Sequence, residues 1–261
     1  MKIVILAAGQ GTRLRPLTDN IPKCMVAING KSIIERQLGV MQECGVKDKD
    51  IAIVAGYKHD VLKNVLKDKN ITFFENNKYD DTNMVYSLMC AKEYMNNAKD
   101  VIVSYGDIIY SREVFQKILQ SENENISVIV DDRWYEYWSE RCDNPLEDAE
   151  TLMFNERGYL TEIGQKTTEL RKVQSQYIGL MRFKGNGLEA MMKLCHEADK
   201  RSMNGIKLWR TDRDYFKMYM TDLLQGLIDE GNKLKTVHIQ RGWFEVDNMK
   251  DLKIAERGLK D

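Results

Sequence analysis

Residues 1–23 run MKIVILAAGQGTRLRPLTDNIPK. Residues 2–7 are short, apolar and followed by glycine, the pattern of a buried strand. Gly9 and Gly11 come next, then Arg13 and Arg15, and Lys23 stands beyond Pro16 and Pro22. Glycines let backbone N–H groups approach an anion, and arginine and lysine neutralise it. The stretch therefore reads as a strand that delivers a phosphate-binding turn.

Two familiar phosphate loops do not fit. A dinucleotide fingerprint needs a third glycine for close helix–strand packing, and Leu14 stands there. Pro16 and Pro22 also disfavour a long helix directly after the turn. A Walker A loop needs Gly-Lys-Ser/Thr, whereas Gly11 is followed by Thr12 and Arg13. What remains is a turn that could wrap a triphosphate from two sides, with Arg13 on one and Lys23 on the other. Taken alone, the two glycines also fit a tight strand exit with solvated basic residues.

Outward from this stretch, the first half alternates. Apolar runs at 51–55, 71–75, 100–104 and 126–131 read as strands. Between them lie helices. Ser32 and Glu35 form a capping-box pattern for a helix over 32–44 that Gly45 ends. Asp60 is expected to cap a helix through Leu66, residues 83–94 read as helical, and Ser111 starts a helix to about Gln120. Alternation of this kind predicts a Rossmann-like α/β fold, a mixed but mainly parallel sheet flanked by helices. Ligands then sit beyond the carboxyl ends of the strands, a rim that gathers 9–15, 56–57 and 106–107. The second half is less regular. Strands are expected at 151–155, 159–163, 177–183, 234–238 and 243–246, and helices at 187–198, 220–230 and 250–259. Residues 199–217 are charged, lack a clear period and read as a mobile excursion. With no evident linker, residues 1–261 are expected to form one domain, a nucleotide-binding half (1–131) and an acceptor-binding half (132–261).

Composition narrows the function classes. A net charge of -1 supplies no global field for nucleic acid or an anionic membrane. No apolar run approaches the roughly 18 residues of a membrane span. The five cysteines form no C-x-x-C pair, so neither a disulfide framework nor a cysteine zinc site is expected, and a cytoplasmic location is.

The string LAAGQGTRLRPLT…PK over 6–23 resembles the signature of nucleotidyltransferases that join a phosphorylated small molecule to a nucleotide. The resemblance implies a nucleotidyltransferase fold of GT-A-like type with a small acceptor-binding β elaboration. It implies that Leu6, Ala7, Ala8, Gly9, Gly11 and Thr12 surround the nucleotide and that Arg13 and Lys23 act on its phosphates. Ala7, Gly56 and Tyr57 would line the base site, with Thr82, Asn83 and Ser87 nearby, and Asp107 and Asp247, in VIVSYGD and WFEVDN, would share Mg²⁺. Read without it, Asp107 is a turn aspartate and Asp247 a cap for the last helix. A phosphate acceptor is ionised at neutral pH, so the absence of an evident general base fits a preformed phosphate nucleophile.

The strings TNMVYS (82–87), DDRWYEYWSERCDNPLEDAETL (131–152), EIGQK (162–166) and SQYIGLMRF (175–183) resemble cytidylyltransferases acting on phosphocholine and, more closely, on phosphonates of the 2-aminoethylphosphonate type. The implied partners are CTP and a small phosphonate or phosphate, and a homodimer is an allowed assembly. Arg141 and Lys166 can hold the acceptor anion. Trp134, Trp138 and Tyr177 can face an ammonium through cation–π contact, Asp131, Glu150 or Asp222 can pair with an amine, and Gln176 belongs to the same acceptor set. The alternative for the aromatics is core packing, and for Arg141 and Glu150 a structural ion pair. A sugar-1-phosphate nucleotidyltransferase and a nucleotide-sensing domain without turnover are the competing functions.

Overall fold

The computed structural model describes residues 1–259. In chain order the strands of the first half are β1 (Lys2–Ala7), β2 (Ala27–Ile28), β3 (Lys31–Ser32), β4 (Ile51–Ala55), β5 (Thr72–Glu75), β6 (Asp100–Tyr105), β7 (Ile108–Tyr110) and β8 (Ile126–Asp131). Those of the second are β9 (Glu150–Phe154), β10 (Leu160–Lys166), β11 (Gln176–Lys184), β12 (Lys235–Ile239) and β13 (Trp243–Glu245). The helices are α1 (Ile33–Glu43), α2 (His59–Val65), α3 (Met84–Cys90), α4 (Lys92–Asn96), α5 (Arg112–Leu119), α6 (Trp134–Arg141), α7 (Asn186–Met203), α8 (Met220–Asp229) and α9 (Met249–Gly258).

Seven strands form the main sheet in the order β12-β8-β11-β6-β1-β4-β5. All neighbours are parallel except β11, which runs against both β6 and β8. β1 sits between β4 and β6, so the three carboxyl ends share one rim. The central strands are apolar on both faces because helices cover both, and every residue of β4 is buried. Two glycines bring that rim together. A methyl group on Gly106 would lie 2.6 Å from the Leu6 carbonyl oxygen, and one on Gly56 would lie 2.9 Å from that of Ala8. Only a residue without Cβ permits either approach.

The capping box of α1 forms, with Glu35 N–H donating to Ser32 Oγ and Ser32 N–H to Glu35 Oε2. Other boundaries differ from expectation. Lys58, in the left-handed region, is the N-cap of α2, so Asp60 lies inside the first turn. Residues 83–94 split into α3 and α4 at Ala91. Helix α6 and strand β7 were not expected.

Residues 199–217 are no free excursion. Helix α7 continues to Met203, and Leu208 and Tyr215 are buried. The segment's end is fixed by Asn83 N–H donating to Phe216 O at 2.8 Å and Tyr215 N–H to Ser202 Oγ at 2.7 Å. Charge on its exposed side hid an apolar side that lies against α3. Off the main sheet, β9 and β10 form an antiparallel hairpin on which α8 rests, and β13 pairs with β7. The β7–β13 pair carries the last strand among the described residues back to the rim where β1 and β6 end.

Candidate active site

The turn after β1 is held open by its own side chains. Gly11 is left-handed (φ 65°), and Thr18 Oγ1 donates to its carbonyl at 2.8 Å. A single 3-10 turn, Thr12–Leu14, follows in place of a helix, as the prolines require. A Cβ on Gly11 would lie 2.9 Å from Lys23 Cβ. The glycine is therefore what lets Lys23 lie across the loop. Tyr57 ties the far side down, donating its hydroxyl to the carbonyls of Thr18 and Asp19 at 3.0 and 2.9 Å.

Beside the loop is a cleft walled by Leu6, Ala8 and Gly9 at the end of β1, Thr82, Asn83 and Ser87 at the start of α3, and Tyr105 and Asp107 at the end of β6. Asn76, buried at the end of β5, donates to Thr82 Oγ1 and Ser87 Oγ, both at 2.9 Å. The sequence reading missed Asn76 and Tyr79, another wall of this cleft. Both follow a strand whose end points at the rim. Three expected base-site residues stand elsewhere. Ala7 turns its methyl into the core, Gly56 is filled against Tyr79, and Tyr57 clamps the loop. For Ala7 the reason is strand alternation: if Leu6 and Ala8 face the cleft, Ala7 faces away.

Lys23 Nζ donates to Asp107 Oδ2 at 2.7 Å and also to Asp247 Oδ1. Arg13 Nη2 lies 3.1 Å from Asp247 Oδ2. Burial would lower the Lys23 pKa, but the two carboxylates outweigh it and hold the ammonium charged. Burial likewise opposes ionisation of Asp247, and Lys23 reverses it, holding the carboxyl below its ordinary value. Asp247 is not the cap of the last helix; Asn248 is.

One carboxylate here was not anticipated. Glu245, Asp107 and Asp247 present oxygens within 4.8 Å of one another. Burial, reinforced by Asp247 and Asp107, pushes the Glu245 carboxyl up to about 7 although Arg141 opposes the rise. Asp107 Oδ1 is buried with no hydrogen-bond partner among the described residues. An orphaned carboxylate oxygen amid three acids and one lysine is a donor set that fits a hard divalent cation.

The expected acceptor residues divide. Trp134 and Trp138 are each only 4% exposed, so neither presents a ring face to a ligand. Trp138 packs on Tyr137 and Trp243, and its Nε1 donates to Asp148 Oδ2 at 2.9 Å. Arg141 is committed to Glu245 (2.7 Å) and Asp251 (3.0 Å) and positions these acids instead of an acceptor anion. Gln176 is buried and donates to the Glu150 carbonyl at 2.6 Å. Asp222 accepts from Tyr219 N–H at 2.8 Å at the start of α8 and pairs with Arg213. Glu150 and Tyr177 stay half-buried and Lys166 exposed, with Tyr177 edge-on to Tyr105 at 5.6 Å between centroids.

These features agree with three comparisons. The family model of the MobA-like NTP transferase domain matches residues 3–169. A CTP:phosphoglutamine cytidylyltransferase of Campylobacter jejuni is 40% identical over 97% of this chain and 98% of its own. A choline-phosphate cytidylyltransferase of Streptococcus pneumoniae is 42% identical over 38% of this chain and 42% of its own. In fold, the CTP:phosphocholine cytidylyltransferase of Streptococcus pneumoniae superposes with TM-score 0.71 at 23% identity, covering 99% of each chain. The inositol-1-phosphate CTP transferase of T. maritima does so with TM-score 0.73 at 18% identity, covering 100% of this chain and 98% of that one. By the domain match and the end-to-end relative together, the chain belongs to the MobA-like NTP transferase family.

Proposed function

We propose that this nucleotidyltransferase is a cytidylyltransferase, moving CMP from CTP to a small phosphate- or phosphonate-bearing acceptor and releasing pyrophosphate. The observation that carries it is Lys23, held between Asp107 and Asp247 beside the glycine loop and Arg13. CTP as donor is taken from the two cytidylyltransferase relatives, whose named acceptors both carry a phosphoryl group.

An acceptor oxygen, already anionic at neutral pH, attacks the α-phosphorus of CTP. A P–O bond forms, the bond to the bridging oxygen breaks, and pyrophosphate leaves with that electron pair. Such transfer needs alignment and charge neutralisation more than a general base. Backbone after β1 would receive the triphosphate, Arg13 its outer phosphates, and Lys23 the reacting phosphate. Lys166 is the proposed cation for the acceptor anion. Thr82, Asn83 and Ser87, oriented by Asn76, would meet the base. Mg²⁺ is the proposed cofactor, with Asp107, Glu245 and Asp247 as the residues to hold it. When bound it neutralises triphosphate charge.

Residues 1–131 would supply most of the nucleotide site and 132–261 most of the acceptor site, with Asp247 returning to the first. A cytoplasmic setting agrees with five free cysteines, and no helix among the described residues is long and apolar enough to cross a membrane.

Pyrophosphate release is the test, with CTP, UTP, ATP, GTP and dTTP each offered phosphocholine, 2-aminoethylphosphonate, phosphoglutamine and glucose 1-phosphate. Release confined to CTP with a non-sugar phosphoryl acceptor is expected. Preference for another nucleotide with the sugar phosphate would replace this function by sugar-nucleotide synthesis. Nucleotide binding without release would leave a sensing domain.

A further inference from the structure

Glu150, Arg213 and Asp222 come together beside the β9–β10 hairpin, and the reaction as described gives Arg213 no task. Arg213 Nη1 donates to both Asp222 oxygens, at 3.0 and 3.3 Å, and lies 3.5 Å from Thr211 Oγ1. Its guanidinium is stacked on the Tyr219 ring, 4.2 Å from the centroid. Asp222 is itself buried and fixed by the Tyr219 N–H. One corner of the guanidinium is therefore held rigidly. Nε and Nη2 have no partner among the described residues, and the side chain is 40% exposed. A planar fork held at one corner and open along an edge is preorganised to take a carboxylate by two hydrogen bonds.

Next to it is an unmatched carboxylate. Glu150 is half-buried and forms no ion pair among the described residues. The groups facing it are Lys166 on β10, Thr221 and Asp222 on α8, and Arg213. The close approach of α8 to the hairpin depends on Gly164, left-handed at φ 81°, where a Cβ would lie 2.5 Å from Thr221 Cβ. The cluster is linked to the nucleotide cleft through β11. Gln176 Nε2 donates to the Glu150 carbonyl at 2.6 Å, and its neighbour Tyr177 is edge-on to Tyr105 at 5.6 Å between centroids. Tyr105 and Asp107 both line the cleft.

We infer that the acceptor is a phosphoryl derivative of an α-amino acid, its carboxylate taken by the open edge of Arg213 and its ammonium by Glu150. The inference rests on the cytidylyl-transfer reading above. An α-amino acid carries both charges on one carbon, which requires an adjacent cation and anion on the protein. Choline or an aminoalkyl group carries a cation alone and would leave the open edge of Arg213 unfilled and repelling it. The aromatic wall that such a cation needs is absent from the Trp134–Trp138 pair, because both rings are buried. Phosphoglutamine, named for the end-to-end relative, has the required chemistry.

The test measures Michaelis constants by pyrophosphate release from CTP. The acceptors are phosphoglutamine, its α-carboxamide, its deamino analogue and phosphocholine. The wild type should prefer phosphoglutamine to the other three by about 100-fold or more, since a site built for a polar group rejects the analogue lacking it. Arg213→Met should remove the preference over the α-carboxamide and leave the CTP constant within about twofold. Glu150→Gln should remove the preference over the deamino analogue. Arg213→Lys keeps a charge for Asp222 but not the two-pronged edge, and should lose most of the carboxylate preference while melting like the wild type. That variant separates recognition from support of α8. A wild type indifferent to the α-carboxamide, or an Arg213→Lys enzyme that keeps the full preference, overturns the inference. Turnover of phosphocholine or a sugar phosphate alone sinks the inference and leaves CTP use standing. No pyrophosphate with any acceptor removes the cytidylyl-transfer reading and this inference with it.

Discussion

Lys23 meets its carboxylates only because Gly11 has no Cβ, and both residues lie in the first stretch of sequence that can be read. Lys23→Ala should keep the fold, by far-ultraviolet dichroism, and lower turnover by about 10²-fold or more, the usual cost of removing a group that stabilises developing charge. Normal kinetics in a folded variant would take Lys23 out of the mechanism. Asp107→Asn and Glu245→Gln should each shift the Mg²⁺ titration of the rate to higher metal, because each removes a negative ligand at nearly constant shape. A titration curve unmoved by either change would remove the three-acid metal site. Asp107 and Asp247 were legible in VIVSYGD and WFEVDN, whereas Glu245 was not. A signal for it existed: Glu245 ends the strand and Asp247 stands two residues further on, and alternate residues of an extended chain share a face. Asn76 had no comparable signal, since a lone asparagine after a strand is ordinarily a turn residue.

Helix α6 shows how an element can be misread through its side chains. Trp134, Tyr137, Trp138 and Arg141 are spaced i, i+3, i+4, i+7, one face of a helix, and all four are buried. Tyr135, off that face, is half exposed. The aromatic density invited a cation site; the spacing pointed to core. Trp138→Ala should therefore destabilise the protein by about 3–5 kcal/mol, read from denaturant melts. The Michaelis constants of the molecules still folded should change little. A stable Trp138→Ala protein with weakened acceptor binding would restore the cation-site reading. The parallel strands were more legible, because β4 is a continuous apolar run and β1 and β8 are nearly so. β7 was not, being only three residues long.

Across the whole molecule, the site is assembled from residues that are far apart in sequence. Lys23 reaches Asp107 and Asp247, 84 and 224 positions away. The parallel rim brings the first two together, and the β7–β13 pairing brings the third. A motif string can name such residues, but the distances among them depend on topology, and so does the competition that claimed Arg141 for Glu245 and Asp251. With a net charge of -1, substrate anions are drawn by the local cations and not by a global field. The central claim is that an acceptor oxygen attacks the α-phosphorus of CTP. Phosphorus NMR of a reaction containing the protein, Mg²⁺, CTP and phosphoglutamine follows each phosphorus directly. The account predicts a pair of mutually coupled diphosphate resonances from a CMP conjugate, appearing in equal amount with pyrophosphate. Release of CDP and inorganic phosphate, or CTP left unchanged while every acceptor named above is offered in turn, would contradict it.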